Sequence, residues 1–176
     1  MADHEGRPGA DEYAPFYAGY IARVPPGGLA SVLEEQRGGL RRMLEGLTDA
    51  QAEHAYAPGK WTVKEVVGHV ADAERVFAYR ALRFARGDDT PLAGFDHNAY
   101  VPAGAFGRRS LDALLDELEG VRGATVALFR GLPPDAWLRR GTASGAPVSV
   151  RALACMIGGH ELHHRAVLEE RYLPAP

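Results

Sequence analysis

The stretch TVKEVVGHVADAERVFAYRALRFAR, residues 62–86, decides the fold. Thr62 and Glu65 form a Thr-x-x-Glu capping box, and Trp61 and Val66 are spaced as a hydrophobic staple, so a helix starts here. Val66, Ala73, Val76, Phe77 and Phe84 recur on one face of it, and Gly87 supplies the left-handed residue that ends helices. Three further periodic segments surround this one. Upstream, Leu29, Val32, Leu33, Leu40, Met43, Leu44 and Leu47 share a stripe over residues 29–47. Gly38 and Gly39 interrupt it, each costing about 1 kcal/mol of helix propensity. Downstream, Ser110 caps a segment over residues 110–130 whose Leu111, Leu114, Leu118, Val121, Thr125 and Leu128 form a bundle-facing seam. Gly131 and Pro133-Pro134 stop that segment. Ser149 caps the last, residues 149–171, which closes near Pro174.

No segment alternates with the period of a half-buried strand, and Val148-Ser149-Val150 is too short to count as one. The expected fold is all-α, an antiparallel four-helix bundle. Tyr13, Phe16, Tyr17, Tyr20, Ile21 and Val24 add a short N-terminal aromatic helix that ends at Pro25-Pro26-Gly27-Gly28. It is read as packing on the body of the domain, with a lid over a pocket as the alternative. Residues 1–11 read as a disordered polar tail, leaving 12–176 as the domain. The connection Gly87–Arg109 is long, and loops of that length usually cover or build a site.

Composition narrows the function. The 176 residues are 46% hydrophobic, enough for a full core, and the formal charge of -3 gives no basic footprint for nucleic acid. No apolar run is long enough to span a bilayer, and the N-terminus lacks the apolar core of a signal peptide. The single cysteine, Cys155, excludes an internal disulfide and a Cys-rich zinc site. A cytoplasmic protein acting on a small molecule, with neither nucleic-acid nor membrane partner, is the expectation.

The seven histidines are the most informative feature. His160 and His164 are one turn apart and about 40° apart in rotation, so both rings reach one point. Leu153, Met156, Ile157, Val167 and Leu168 centre the apolar face about 20° from each of them, while His163 sits about 80° off, at its edge. Glu161 and Arg165 read as a surface ion pair on the solvated side. His69 falls within the buried arc of residues 62–86. A dry bundle gains nothing from three inward imidazoles, since each unpaired buried ring costs roughly 1–3 kcal/mol. The pattern therefore points to one divalent metal ion on His69, His160 and His164. Three nitrogens leave a tetrahedral ion one position open, as in catalytic sites. Nitrogen ligation suits zinc, nickel, cobalt or copper.

Other residues carry two readings each. Asp72 orients a ligand imidazole or is a solvated acid. His97 folds over the metal with its loop or stays on the surface. Arg80, three turns beyond His69, holds an anionic substrate or pairs with a carboxylate in the bundle. Cys155, beside Gly159 and Ala166, serves close helix packing rather than nucleophilic chemistry. His4 lies in the tail, and His54 in an exposed connection.

Lys60-Trp61-Thr62-Val63-Lys64-Glu65-Val66, His69, Asp72-Ala73-Glu74-Arg75 and Gly159-His160-Glu161-Leu162-His163-His164 together resemble the DinB-like superfamily, which includes YfiT-like proteins. The similarity runs over about residues 29–173. It implies a four-helix bundle, often a homodimer, with a metal, zinc or nickel above others, held by one histidine of the second helix and a His-x-x-x-His pair of the last. By position those are His69, His160 and His164. It further implies S-transferase or isomerase chemistry with low-molecular-weight thiols such as bacillithiol or mycothiol, or metal-dependent hydrolysis. The leading expectation is a metal-dependent thiol transferase with His97, His163, Asp72 and Arg80 around the ligands. Hydrolysis by an activated water is the second reading, and a non-enzymatic metal-binding stress-response module the third.

Overall fold

The structure, a computed structural model, describes residues 6–173; His4 and Pro174 lie outside them. In chain order the helices are α1 (Ala18–Arg23), α2 (Leu29–Gln36), α3 (Gly39–Leu44), α4 (Asp49–Ala52), α5 (Val63–Ala85), α6 (His97–Gly104), α7 (Leu111–Arg130) and α8 (Val150–Arg171). Strands β1 (Arg140–Ala143) and β2 (Ala146–Ser149) form an antiparallel hairpin between α7 and α8. The three long helices begin at the expected caps. Thr62 Oγ1 accepts from the Glu65 amide at 3.2 Å while Glu65 Oε2 accepts from the Thr62 amide at 2.8 Å. Ser110 and Ser149 accept from the amides of Ala113 and Ala152 at 3.2 and 3.0 Å.

The chain forms a four-helix bundle in which the first member is broken. The stripe over residues 29–47 suggested one helix, but Arg37 leaves the helical region and Gly38 takes φ +70°, so α2 and α3 meet at a bend. Two apolar clusters give the helix directions. One collects Leu29 and Leu33 with Phe84, Phe129 and Leu153. The other collects Leu40 and Leu44 with Val66, Leu114 and Leu168. The α2–α3 segment and α8 therefore run one way, and α5 and α7 the other. Because α5 and α7 are parallel neighbours, the connection between them must return along the bundle, which is why residues 87–109 are so many.

That connection is not bare loop. Asp96 accepts from the amides of Asn98 and Ala99 at 2.9 and 3.3 Å and starts α6. Leu92 is pinned to the hairpin by two backbone hydrogen bonds, from its amide to Thr142 and to its carbonyl from Ser144, at 2.9 and 3.0 Å. The hairpin itself was not expected. Its strands are four residues each and too short for alternation to emerge, although Val148 and Ser149 are buried. The tail expected over residues 1–11 also needs correction for its described part. Pro8 is buried, Arg7 donates to the Val24 carbonyl at 2.7 Å, and residues 10–12 form a 3₁₀ turn whose Glu12 pairs with Arg151.

Candidate metal centre

His69 lies in the second turn of α5, His160 and His164 midway along α8, and the two helices pack antiparallel. Their rings meet. His69 Nε2 and His160 Nε2 are 3.0 Å apart, and His164 Nε2 lies 3.1 Å from His160 Nε2. One nitrogen from each of the three falls within 4.8 Å of the others, and the donors are almost wholly withdrawn from solvent at His69 and His160. Close approach of α1 to α8 is possible because residue 159 is glycine; a Cβ there would stand 2.0 Å from the Tyr20 carbonyl oxygen.

Burial is the main reason all three imidazoles are held neutral. It pushes His69 down to about 4, with His97 adding to the effect. It pushes His164 down to about 3, with His69 next in importance, and His160 well below its ordinary value, helped by His164 and His69. A neutral ring offers each neighbour either one lone pair or one N–H. His160 Nε2 faces two such neighbours and can donate to only one. Three converging, uncharged, dry nitrogens are a donor set that a cation satisfies. Nitrogens about 2.0–2.1 Å from a tetrahedral ion would stand ~3.3 Å apart, close to the spacing found.

The centre forms the floor of an open cleft of about 300 Å³. Its near walls are aromatic: Trp61 lies 4.7 Å from the His69 ring, Tyr20 5.4 Å and Phe77 6.1 Å from the His160 ring. Phe16, Tyr17 and Phe95 continue the walls outward. The N-terminal aromatic segment packs on the body of the domain through Ile21 and Val24, and its Phe16, Tyr17 and Tyr20 line the cleft. A larger groove of about 530 Å³ contains no histidine, and its Arg41 pairs with Asp112. The chemistry is concentrated in the smaller one.

The remaining candidates separate. His97 is exposed but lines the cleft, its ring 5.6 Å from that of His69. His163 is not one of the three converging rings; it packs between His164 at 5.1 Å and Tyr20 at 5.3 Å. Asp72 reaches Arg75 at 3.4 Å and is not part of the cleft wall. Arg80 is buried at the far end and meets no carboxylate among the described residues, so the expected bundle ion pair is absent. Cys155 is buried among core residues, and that burial pushes its thiol up to about 11.

One polar group was misread. Glu161 is not on the solvated side; it is 3% exposed and reaches Arg122 at 2.7 Å. Arg122 also holds Glu74 in a two-pronged contact at 2.9 and 2.8 Å. The available signal was the α7 stripe, where Arg122 falls in register with Leu115, Leu118, Thr125 and Phe129, all buried.

Comparison with known proteins places these features in context. The sequence profile described as the DinB superfamily matches residues 32–168. A Bacillus subtilis (strain 168) protein, "Putative metal-dependent hydrolase YfiT", is 30% identical over 152 residues, 79% of either chain. A Bacillus pumilus (strain SAFR-032) protein with the same description apart from the gene name is 27% identical over 127 residues, covering 70% of this chain and 71% of its own. The solved YfiT structure, described as an unusual four-helix bundle, superposes with TM-score 0.74 at 24% identity, over 95% of this chain and 94% of that one. A mycothiol-dependent maleylpyruvate isomerase shares the fold at TM-score 0.65 and 20% identity, over 78% of this chain and 58% of its own.

Proposed function

The chain belongs to the DinB superfamily, and on that footing we propose that it is a metal-dependent enzyme whose divalent ion, zinc or nickel, sits on His69, His160 and His164 and serves transfer of a low-molecular-weight thiol. The observation that carries this reading is the convergence of three neutral Nε2 atoms on the floor of an open cleft. No carboxylate or cysteine among the described residues lines that cleft, which favours a nucleophile supplied from outside the chain. A three-nitrogen site leaves a position for an external ligand, and a bound ion lowers the pKa of a thiol or water there. Trp61, Tyr20 and Phe77 pack around the imidazoles, hold their orientation and keep bulk water from the donor atoms. His97, at the rim, is placed to take up or return a proton at its ring nitrogen. The likeness in fold to a mycothiol-dependent isomerase favours the thiol reading.

Two measurements test it together. His160→Ala should lose metal by elemental analysis and lose thiol conjugation, and wild-type protein should consume thiol in proportion to product. Thiol conjugation that persists without metal refutes the proposal. Hydrolysis is the second reading, favoured by the relatives' description and by His97 as the proton acceptor that water activation requires. Its mark is product release without thiol, lost in His97→Ala with metal content unchanged. Assembly as a homodimer belongs to the same proposal, and sedimentation as a monomer across a wide concentration range removes it.

A further inference from the structure

The protein buries two arginines on its long helices, and they are provisioned differently. Arg122, 2% exposed, meets the carboxylates of Glu74 and Glu161. Arg80, 3% exposed, meets neutral acceptors among the described residues: the Ala93 carbonyl at 2.9 Å, Ser144 Oγ at 3.0 Å and the Tyr17 hydroxyl. Its guanidinium carbon also lies 5.6 Å over the Phe95 ring. Neutral dipoles do not repay the removal of a full charge from water, so a buried guanidinium without an anion is an incomplete site.

Arg80 does not itself line the cleft above the histidines, but its neighbours do. Tyr17, Phe95 and Ser144, which surround Arg80, are also the far wall of the cleft above the histidines. Phe77 links the two ends, 6.1 Å from the His160 ring and 6.4 Å from Phe95. Both of these hydrogen bonds come from Nη2, and with Tyr17 taking one more the guanidinium still has donors for an anion. Ser144 and Gly145, with φ +54° and +78°, are the two-residue turn of the β1–β2 hairpin, and that turn fixes the Ser144 hydroxyl beside Arg80.

We infer that Arg80 is the anion subsite of this cleft, so that the compound handled at the histidines carries a carboxylate on an apolar or aromatic body. The flat two-oxygen edge of a carboxylate matches the guanidinium fork, and Phe77 and Phe95 flank the body between the two ends. The inference rests on the proposed function only for what reacts at the histidine end.

Calorimetric titration with 4-phenylbutyrate and its neutral amide tests it, using wild-type protein, metal-loaded and metal-stripped, and Arg80→Gln. The acid should bind wild type at least about tenfold more tightly than the amide, as expected for a charged hydrogen-bonded pair. That preference should survive metal removal and disappear in Arg80→Gln. Equal binding of acid and amide, no binding of either at millimolar concentration, or a preference undiminished in Arg80→Gln each overturns the inference. A preference that vanishes with the metal also overturns it, because the carboxylate is then at the histidines. If Arg80→Gln does not fold, Arg80→Lys replaces it: a weakened preference supports the subsite, an unchanged one refutes it. Metal content, measured on every sample, reports separately on the three-histidine reading.

Discussion

Gly158 and Gly159 are buried neighbours on α8, yet replacing each with alanine should shift stability in opposite directions. At 158 a new Cβ meets Gln36 Oε1 at 3.4 Å and Leu33 Cδ2 at 3.5 Å, ordinary contact distances. Alanine improves helix propensity there by up to about 1 kcal/mol, so Gly158→Ala should gain roughly 0.5–1 kcal/mol. At 159 the same atom falls 2.0 Å from the Tyr20 carbonyl oxygen and 2.5 Å from its carbon. That obstacle is backbone, and no side-chain rotation relieves it. Overpacking of this kind costs about 1–3 kcal/mol, and a rigid main-chain clash belongs at the upper end. After the propensity gain, Gly159→Ala should lose about 2 kcal/mol. Release of α1 sets the ceiling, forfeiting the burial of Ile21 and Val24 at about 1.5–3 kcal/mol each. Urea unfolding with an unchanged m-value reads both effects. Thermal midpoints should rise by ~1–4 °C for the first variant and fall by ~4–8 °C for the second. Equal shifts, or a Gly159→Ala protein as stable as wild type, would show that α1 is not held against α8 as described.

Two further outcomes follow from buried charge. Arg122→Met leaves Glu74 and Glu161 together with only Arg165, 4.0 Å from Glu161, as a nearby cation, and breaking such a pair costs about 3–5 kcal/mol at neutral pH. The deficit should narrow as pH is lowered and Glu161, whose pKa burial raises, becomes neutral; a deficit independent of pH argues against the pairing as its cause. In metal-free protein, His69 and His164 stay neutral down to about 4 and about 3, whereas the unfolded chain takes up protons below 6.5. Their contribution is therefore intact above pH 6.5 and lost as pH falls from there toward the folded values, at about 2 kcal/mol each by pH 5. Denaturation curves of metal-free wild type and of His69→Ala/His164→Ala across that window compare the slopes. An identical slope in the variant refutes the assignment.

Where the sequence was legible, local chemistry and tertiary contact agreed. Thr62, Ser110 and Ser149 are caps in both, and the rotation of His160 and His164 carries straight into space because a helix face is a local property. Failures arose where partners are distant in sequence. Gly38 bends the first segment through its backbone conformation, which the apolar stripe does not register. Glu161 was assigned to solvent because Arg165 stands four residues on, whereas the nearer partner is Arg122 on another helix. Leu92 joins the hairpin across some fifty residues, and strands of four residues leave no period to detect. The family resemblance agreed with the histidines that helix rotation had already picked out but was silent on what faces Arg80.

The misplaced Glu161 explains how the histidines can approach so closely. Arg122, Glu74 and Glu161, joined by Gln36 at 3.3 Å, form a polar layer at mid-height, and the two apolar clusters lie on either side of it. Apolar layers fit many registers, because one methyl group substitutes for another after a one-turn slide of about 5.4 Å. A guanidinium fork does not slide, since leaving either carboxylate unpaired in a dry core is costly. Arg122 thus locks α5 to α8, the two helices across which His69 and His160 meet. On α8 the residue after His160 makes that lock, so the site and its brace move as one unit. A three-nitrogen cluster at 3.0–3.1 Å tolerates little error, and the bundle places its least forgiving interaction one residue away.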